Sequence, residues 1–230
     1  MKMTSRLLPL AVLLPLILAA QPPQPPGGGG GQGDGIWLRN AFWGEAQTFD
    51  RCNGHQPGNG QYHHHANPLC LRAQLNDNLT LVQSARTGPL YRETAAPRHS
   101  PILGWSFDGF PIYGPYGYAD ATRAGVVRRM KSSYQLRTIT ARQTLPDWAL
   151  AIHPGVSQQL APGQYGPEIS KQFPLGRYLE DYEFVAGLGD LDQYNGRFAI
   201  TPEFPNGTYA YFVTIDEAGV PAFPYIIGPQ

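Results

Sequence analysis

The chain has no surplus charge of either sign: lysine plus arginine number 17 and aspartate plus glutamate 17, and only 15% of residues are charged. With no bulk field to hold a polyanion, nucleic acid and anionic membrane surfaces are disfavoured as partners. Cysteine is nearly absent, with Cys52 and Cys70 alone. No HExxH signature, nucleophile elbow or lone catalytic cysteine is present, so none of those hydrolytic chemistries is announced. No repeat of fixed period occurs. An uninterrupted apolar run of the roughly 20 residues a membrane span needs is also missing, because the N-terminal leucine-rich stretch is broken by Pro9 and Pro15.

What is abundant is glycine (27) and proline (23) in 230 residues, which suits short strands and structured loops rather than long helices. The expected fold is mainly β: a single β-rich domain with many Gly/Pro loops and short helices only. Residues 1–20 place Lys2 and Arg6 ahead of the apolar run and end it in Ala19 and Ala20, the pattern of a cleaved signal peptide. Residues 21–35 carry no aliphatic or aromatic side chain and are expected to form a disordered Pro/Gly tether. No cysteine follows the leader to take a lipid anchor, so the product is expected to be secreted or periplasmic, with no stable membrane insertion after cleavage. The domain then runs over 36–230.

Strands are expected at 36–43, 61–65, 79–84, 102–107, 134–140, 182–185, 197–200 and 208–215. Pro146-Asp147-Trp148 is expected to open a short helix, and 153–176 is expected to be a long loop. In an oxidising compartment Cys52 and Cys70 are expected to pair, closing a loop around the histidine run worth about 3 kcal/mol. The alternative is two thiolate ligands. Two acceptor sequons, at Asn78 and Asn206, matter only in a host with that glycosylation machinery.

Of six histidines, four lie together: His55, His63, His64 and His65. On a strand, residues two apart share a face, so His63 and His65 point one way while Tyr62 and His64 point the other. Two imidazoles facing one site are half of a zinc or copper centre. His55, His99 and Asp108 are the candidates to complete it. The competing reading makes these histidines hydrogen-bonded packing residues with tyrosine partners. Asp108, in the dense segment from His99 to Gly117, reads equally as a turn former and as a ligand or an acceptor behind a ligand imidazole. Asp190 and Asp192 lack the spacing and closing glutamate of a calcium loop and are read as turn carboxylates, with Arg197 a possible ion-pair partner.

Several segments in order resemble the YHYH-domain family, a group of mostly secreted proteins. They are Gly54-His55, Tyr62-His63-His64-His65, the run HSPILGWSFDGFPIYGPYG, PLGRYLEDYEFV, GDLDQYNGRF, TPEFPNGTYAYFVT and PYIIG. The family motif places tyrosine where His64 stands, so its paired histidines correspond to His63 and His65. The resemblance also places an acidic residue at Gln193 and a cysteine at Ala199, so a role needing that charge or sulfur is not expected here. It implies no established enzymatic activity.

The preferred functional expectation is an extracytoplasmic metal-binding module for copper or zinc. The alternatives are a metal-dependent hydrolase or oxidase, with Tyr62, Tyr113 or Asp108 assisting proton transfer, and a cell-envelope or adhesion domain contacting its partner through aromatic turns. Intact-mass measurement of exported protein is expected to show residues 1–20 removed; a retained leader would refute that reading.

Overall fold

The computed structural model describes residues 34–58, 60–84, 88–94 and 97–229. The expected leader, and the expected tether up to residue 33, lie outside the described residues. In chain order the elements are α1 (Ala41–Glu45), β1 (Gly54–His55), β2 (His63–His64), α2 (Leu69–Gln74), β3 (Leu79–Ser84), β4 (Gly88–Glu93), β5 (Ile102–Trp105), β6 (Pro111–Tyr113), β7 (Tyr116–Tyr118) and β8 (Val127–Arg129). They continue with β9 (Tyr134–Leu136), α3 (Ala149–Ile152), β10 (Tyr182–Phe184), β11 (Gly196–Ala199) and β12 (Thr208–Phe212). The fold is mainly β with short helices, as the composition implies.

The largest sheet has the order β11-β12-β6-β5, in which β12 and β6 run parallel and the other pairs antiparallel. β1–β2, β3–β4, β7–β8 and β9–β10 form separate two-stranded ladders. The two-residue period of β12 sends Ala210 and Phe212 into a core with Tyr113, Met130 and Leu191. A second core gathers Trp37, Tyr134, Trp148, Leu160, Tyr178 and Phe223. Its polar tips are satisfied: the Trp37 indole donates to Gln164 O at 3.1 Å and the Trp148 indole to Tyr182 O at 2.9 Å.

The expected strand over 36–43 does not form. Trp37 and Arg39 make isolated bridges to Asp34 and Tyr178, and the chain then turns into α1. The reason lies in Asn40, whose buried side-chain amide donates to Gly176 O at 3.0 Å and to the Tyr225 hydroxyl at 2.7 Å. That anchoring fixes the backbone where the strand would have continued. Asp34 belongs to the folded body, its carboxylate accepting from Arg39 and from the Tyr178 hydroxyl. Elsewhere, β3 spans the expected residues, β9 and β12 stop short of theirs, and α3 follows Trp148.

Buried arginines tie this loop-rich chain together. Arg72 Nε donates to Asp77 at 2.6 Å, while its other nitrogens reach Asn67 and both oxygens of Glu93. Arg142 grips Asp181 through two nitrogens and donates to the carbonyls of Pro167, Phe173 and Pro174. One fully buried side chain thereby fastens the 167–174 part of the expected 153–176 loop. Asp192 serves its turn, accepting from Tyr194 N, Gly196 N and the Tyr209 hydroxyl, whereas Asp190 is a tertiary ion-pair partner, accepting from Arg128 and Lys131 N. Arg197 donates instead to Tyr118 O.

Removing Arg72 leaves Asp77 and Glu93 without their counter-charge. The Arg72→Met variant is expected to lose about 3–5 kcal/mol of unfolding free energy in a urea titration. A loss below about 1 kcal/mol, the range of exposed pairs, would show that Arg72 is not a structural tie.

Candidate metal centre

The centre is built on a short tied loop. Asp50 Oδ1 accepts from Cys52 N at 2.8 Å and from Gly54 N at 3.1 Å, and Asp50 N donates to Gly54 O at 2.8 Å. This is the local turn aspartate favours. Asn53, at φ 62°, takes the left-handed conformation it tolerates better than most residues. Cys52 and Cys70 form the expected disulfide, joining this loop to α2, and Leu69 N donates to Cys52 O at 3.1 Å.

β1 then pairs antiparallel with β2, with His55 opposite His63 and Gly54 opposite His64. Opposed residues share a face, and the bend that follows β2 adds His65. Tyr62 and His64 occupy the other side, their rings edge to face at 5.2 Å, and the Tyr62 hydroxyl donates to Asp50 Oδ2 at 2.9 Å. Glycine at position 54 leaves room for Tyr62 in its place against Asp50, because a Cβ there would lie 2.2 Å from the Tyr62 hydroxyl oxygen.

On the histidine face, one ligand-type atom from each of Glu45, His55, His63 and His65 falls in a group spanning at most 4.8 Å. His65 Nε2 lies 2.8 Å from His63 Nε2 and 3.1 Å from His55 Nε2. Glu45 Oε2 lies 2.8 Å from His65 Nε2 and 3.0 Å from His55 Nε2. Hydrogen bonds behind the rings set their tautomers. Thr48 spends its hydroxyl proton on Glu45 O at 2.7 Å, so at His55 Nδ1, also 2.7 Å away, it must accept. His63 Nδ1 faces Gln61 O at 3.0 Å, and a carbonyl only accepts. This hydrogen-bond arrangement assigns the proton of each ring to Nδ1 and leaves Nε2 facing the cluster.

Two lone pairs, a carboxylate oxygen and His65 Nε2 thus converge with at most one proton among them while the rings are neutral. A proton or a metal cation within the set relieves the repulsion among these lone pairs. The four distances just given are a few tenths of an ångström under the edge of about 3.3 Å that a tetrahedron with bonds of about 2.0–2.1 Å requires, while the group as a whole spans up to 4.8 Å. The group can hold a metal ion. Burial pushes the His65 pKa below the ordinary imidazole value, the Glu45 carboxylate opposing and the His63 and His55 rings adding to it. Phe49 stacks on His65 at 5.7 Å and meets His55 edge-on at 5.1 Å, walling one side with hydrocarbon.

Of the five residues expected as ligands, the structure brings together His55, His63 and His65. His99 sits elsewhere, its Nδ1 donating to Ser100 O at 2.8 Å and its ring packed against Tyr113 and Tyr118. Asp108 also has other partners, accepting from the Tyr211 hydroxyl at 2.5 Å and Phe110 N at 3.1 Å. Glu45 was not anticipated. It ends α1, in and just beyond a stretch read as a strand, and no spacing rule links it to the histidines.

A family model described as YHYH protein matches residues 19–224. The chain belongs to the YHYH protein family. No curated protein and no solved structure matches it. In this YHYH protein the family-named motif supplies two of the three clustered rings, His63 on β2 and His65 in the bend just after it, with Tyr62 as the peg that holds the opposite face.

Tyr62 is half-exposed and can swing away from an added methyl group, so a substitution at Gly54 should cost chiefly the bond to Asp50. Gly54→Ala is expected to lose about 1 kcal/mol of stability, and little or nothing in a Tyr62→Ala background. An equal loss in both backgrounds, measured by denaturant titration of the double-mutant cycle, would show that Tyr62 does not account for the glycine.

Proposed function

We propose that this YHYH protein is an extracytoplasmic metal-binding module that holds one copper or zinc ion through Glu45, His55, His63 and His65. The observation that carries this reading is the convergence of a carboxylate oxygen and three imidazole nitrogens, all within 4.8 Å of one another. Three imidazoles and one carboxylate suit zinc and copper better than magnesium or calcium, which favour all-oxygen shells. Thiolate ligation is not part of the scheme, because both cysteines are spent on the disulfide. That bond and the N-terminal leader suit an oxidising exterior. Among the described residues no helix is long and apolar enough to cross a membrane.

Binding is favoured over catalysis by where the expected proton-transfer groups lie. Tyr62 is engaged with Asp50 on the opposite face of the ladder, Tyr113 donates to Glu203 and bonds the Thr201 hydroxyl, and Asp108 is held by Tyr211. Thr48 and the Gln61 carbonyl have the orienting role that partners behind metal-bound histidines have.

Untagged protein is expected to carry close to one equivalent of copper or zinc by elemental analysis. The His63→Ala/His65→Ala variant should lose it, and a His99→Ala/Asp108→Asn variant should keep it. Thr48→Val should weaken affinity by about 10–100-fold. Metal content unchanged by the first double substitution would sink the proposal.

A further inference from the structure

We propose that the metal centre also receives a small ligand, a compact apolar monoanion such as an aromatic carboxylate, seated in the cavity beside His65. This rests on the metal-binding reading above. The cavity encloses about 300 Å³, and Phe42, Leu179, Phe223, Tyr225 and Ile227 make its apolar wall. That volume is at the small end of ligand pockets, enough for one ring or a branched aliphatic body. His65 belongs to both the cavity wall and the acceptor cluster. His65, the member of the cluster on the cavity wall, has a side chain 21% exposed, against 7% for His55.

Charge selects the head group. A dication with one carboxylate and neutral imidazoles keeps a net charge of one, in apolar surroundings that strengthen its attraction for an anion. Arg39, also on the cavity wall, is balanced by Asp34 at 2.7 Å and leaves that sum unchanged. The wall is preformed. Asn40 holds the Tyr225 hydroxyl, and the Tyr225 ring packs between Phe42 at 4.9 Å and Phe223 at 5.7 Å. A single negative charge on a compact hydrocarbon body satisfies both halves of the site, whereas a cation or a long polar chain satisfies neither.

The test is calorimetric titration of metal-loaded protein with benzoate, benzyl alcohol and benzylammonium, with metal content measured in every sample. Benzoate is expected to bind at least about tenfold more tightly than benzyl alcohol, and benzylammonium not at all. Ala41→Leu, which narrows the cavity, should weaken benzoate by about tenfold or more while the metal is retained; Ile227→Trp narrows the opposite wall should the first variant fail to fold. Retained metal with no preference for benzoate, or with benzoate binding untouched by both cavity variants, overturns this inference alone. Protein that takes up no metal overturns it together with the reading it rests on.

Discussion

The ladder between β1 and β2 is only two residues long, and the centre is registered on it. Placing His55 opposite His63 puts both rings on one face, and the bend that follows β2 brings His65 to the same place. A slip of one residue would turn those rings out and bring Tyr62 and His64 in. So short a ladder cannot hold its own register, and outside contacts do so. Asp50 clamps the preceding turn and the Tyr62 hydroxyl together, and Gly54 admits the Tyr62 ring.

The same dependence on polar ties runs through the molecule. With strands of two to six residues, hydrocarbon packing is split between two cores, and much of the tertiary order is carried by arginines withdrawn from solvent. Arg72 is one of these, and it lies on α2. That helix carries Cys70, so the buried pairing of Arg72 with Asp77 and Glu93 positions the covalent link to the loop before β1. The geometry of the imidazoles therefore rests on an ionic network whose members come from well beyond the histidine run.

How much of this could be read from residues alone follows from the range of the interactions. The alternation of His63 and His65 is local, and so is the strand over β3; both were visible. The disulfide followed from compartment and count. The fate of 36–43 was not legible, because what breaks the strand is Asn40 reaching Gly176 and Tyr225, residues far along the chain. Glu45 was hidden for the same reason: it joins the histidines only because α1 replaces an expected strand. His99 and Asp108 lie in a motif-rich segment, but tertiary packing hands them to Ser100 and Tyr211. Family kinship, which several ordered segments carried together, was legible throughout.

The ring closed by Cys52 and Cys70 contains His55, His63 and His65 but leaves Glu45 outside. Unfolding the protein with that bond intact would therefore keep three of the four ligands on one short covalent circle, and the denatured chain would retain affinity for an ion. An ion bound to both states stabilises the fold by less than its native affinity alone implies. Melting curves taken with and without metal should consequently understate how tightly the folded centre holds its ion.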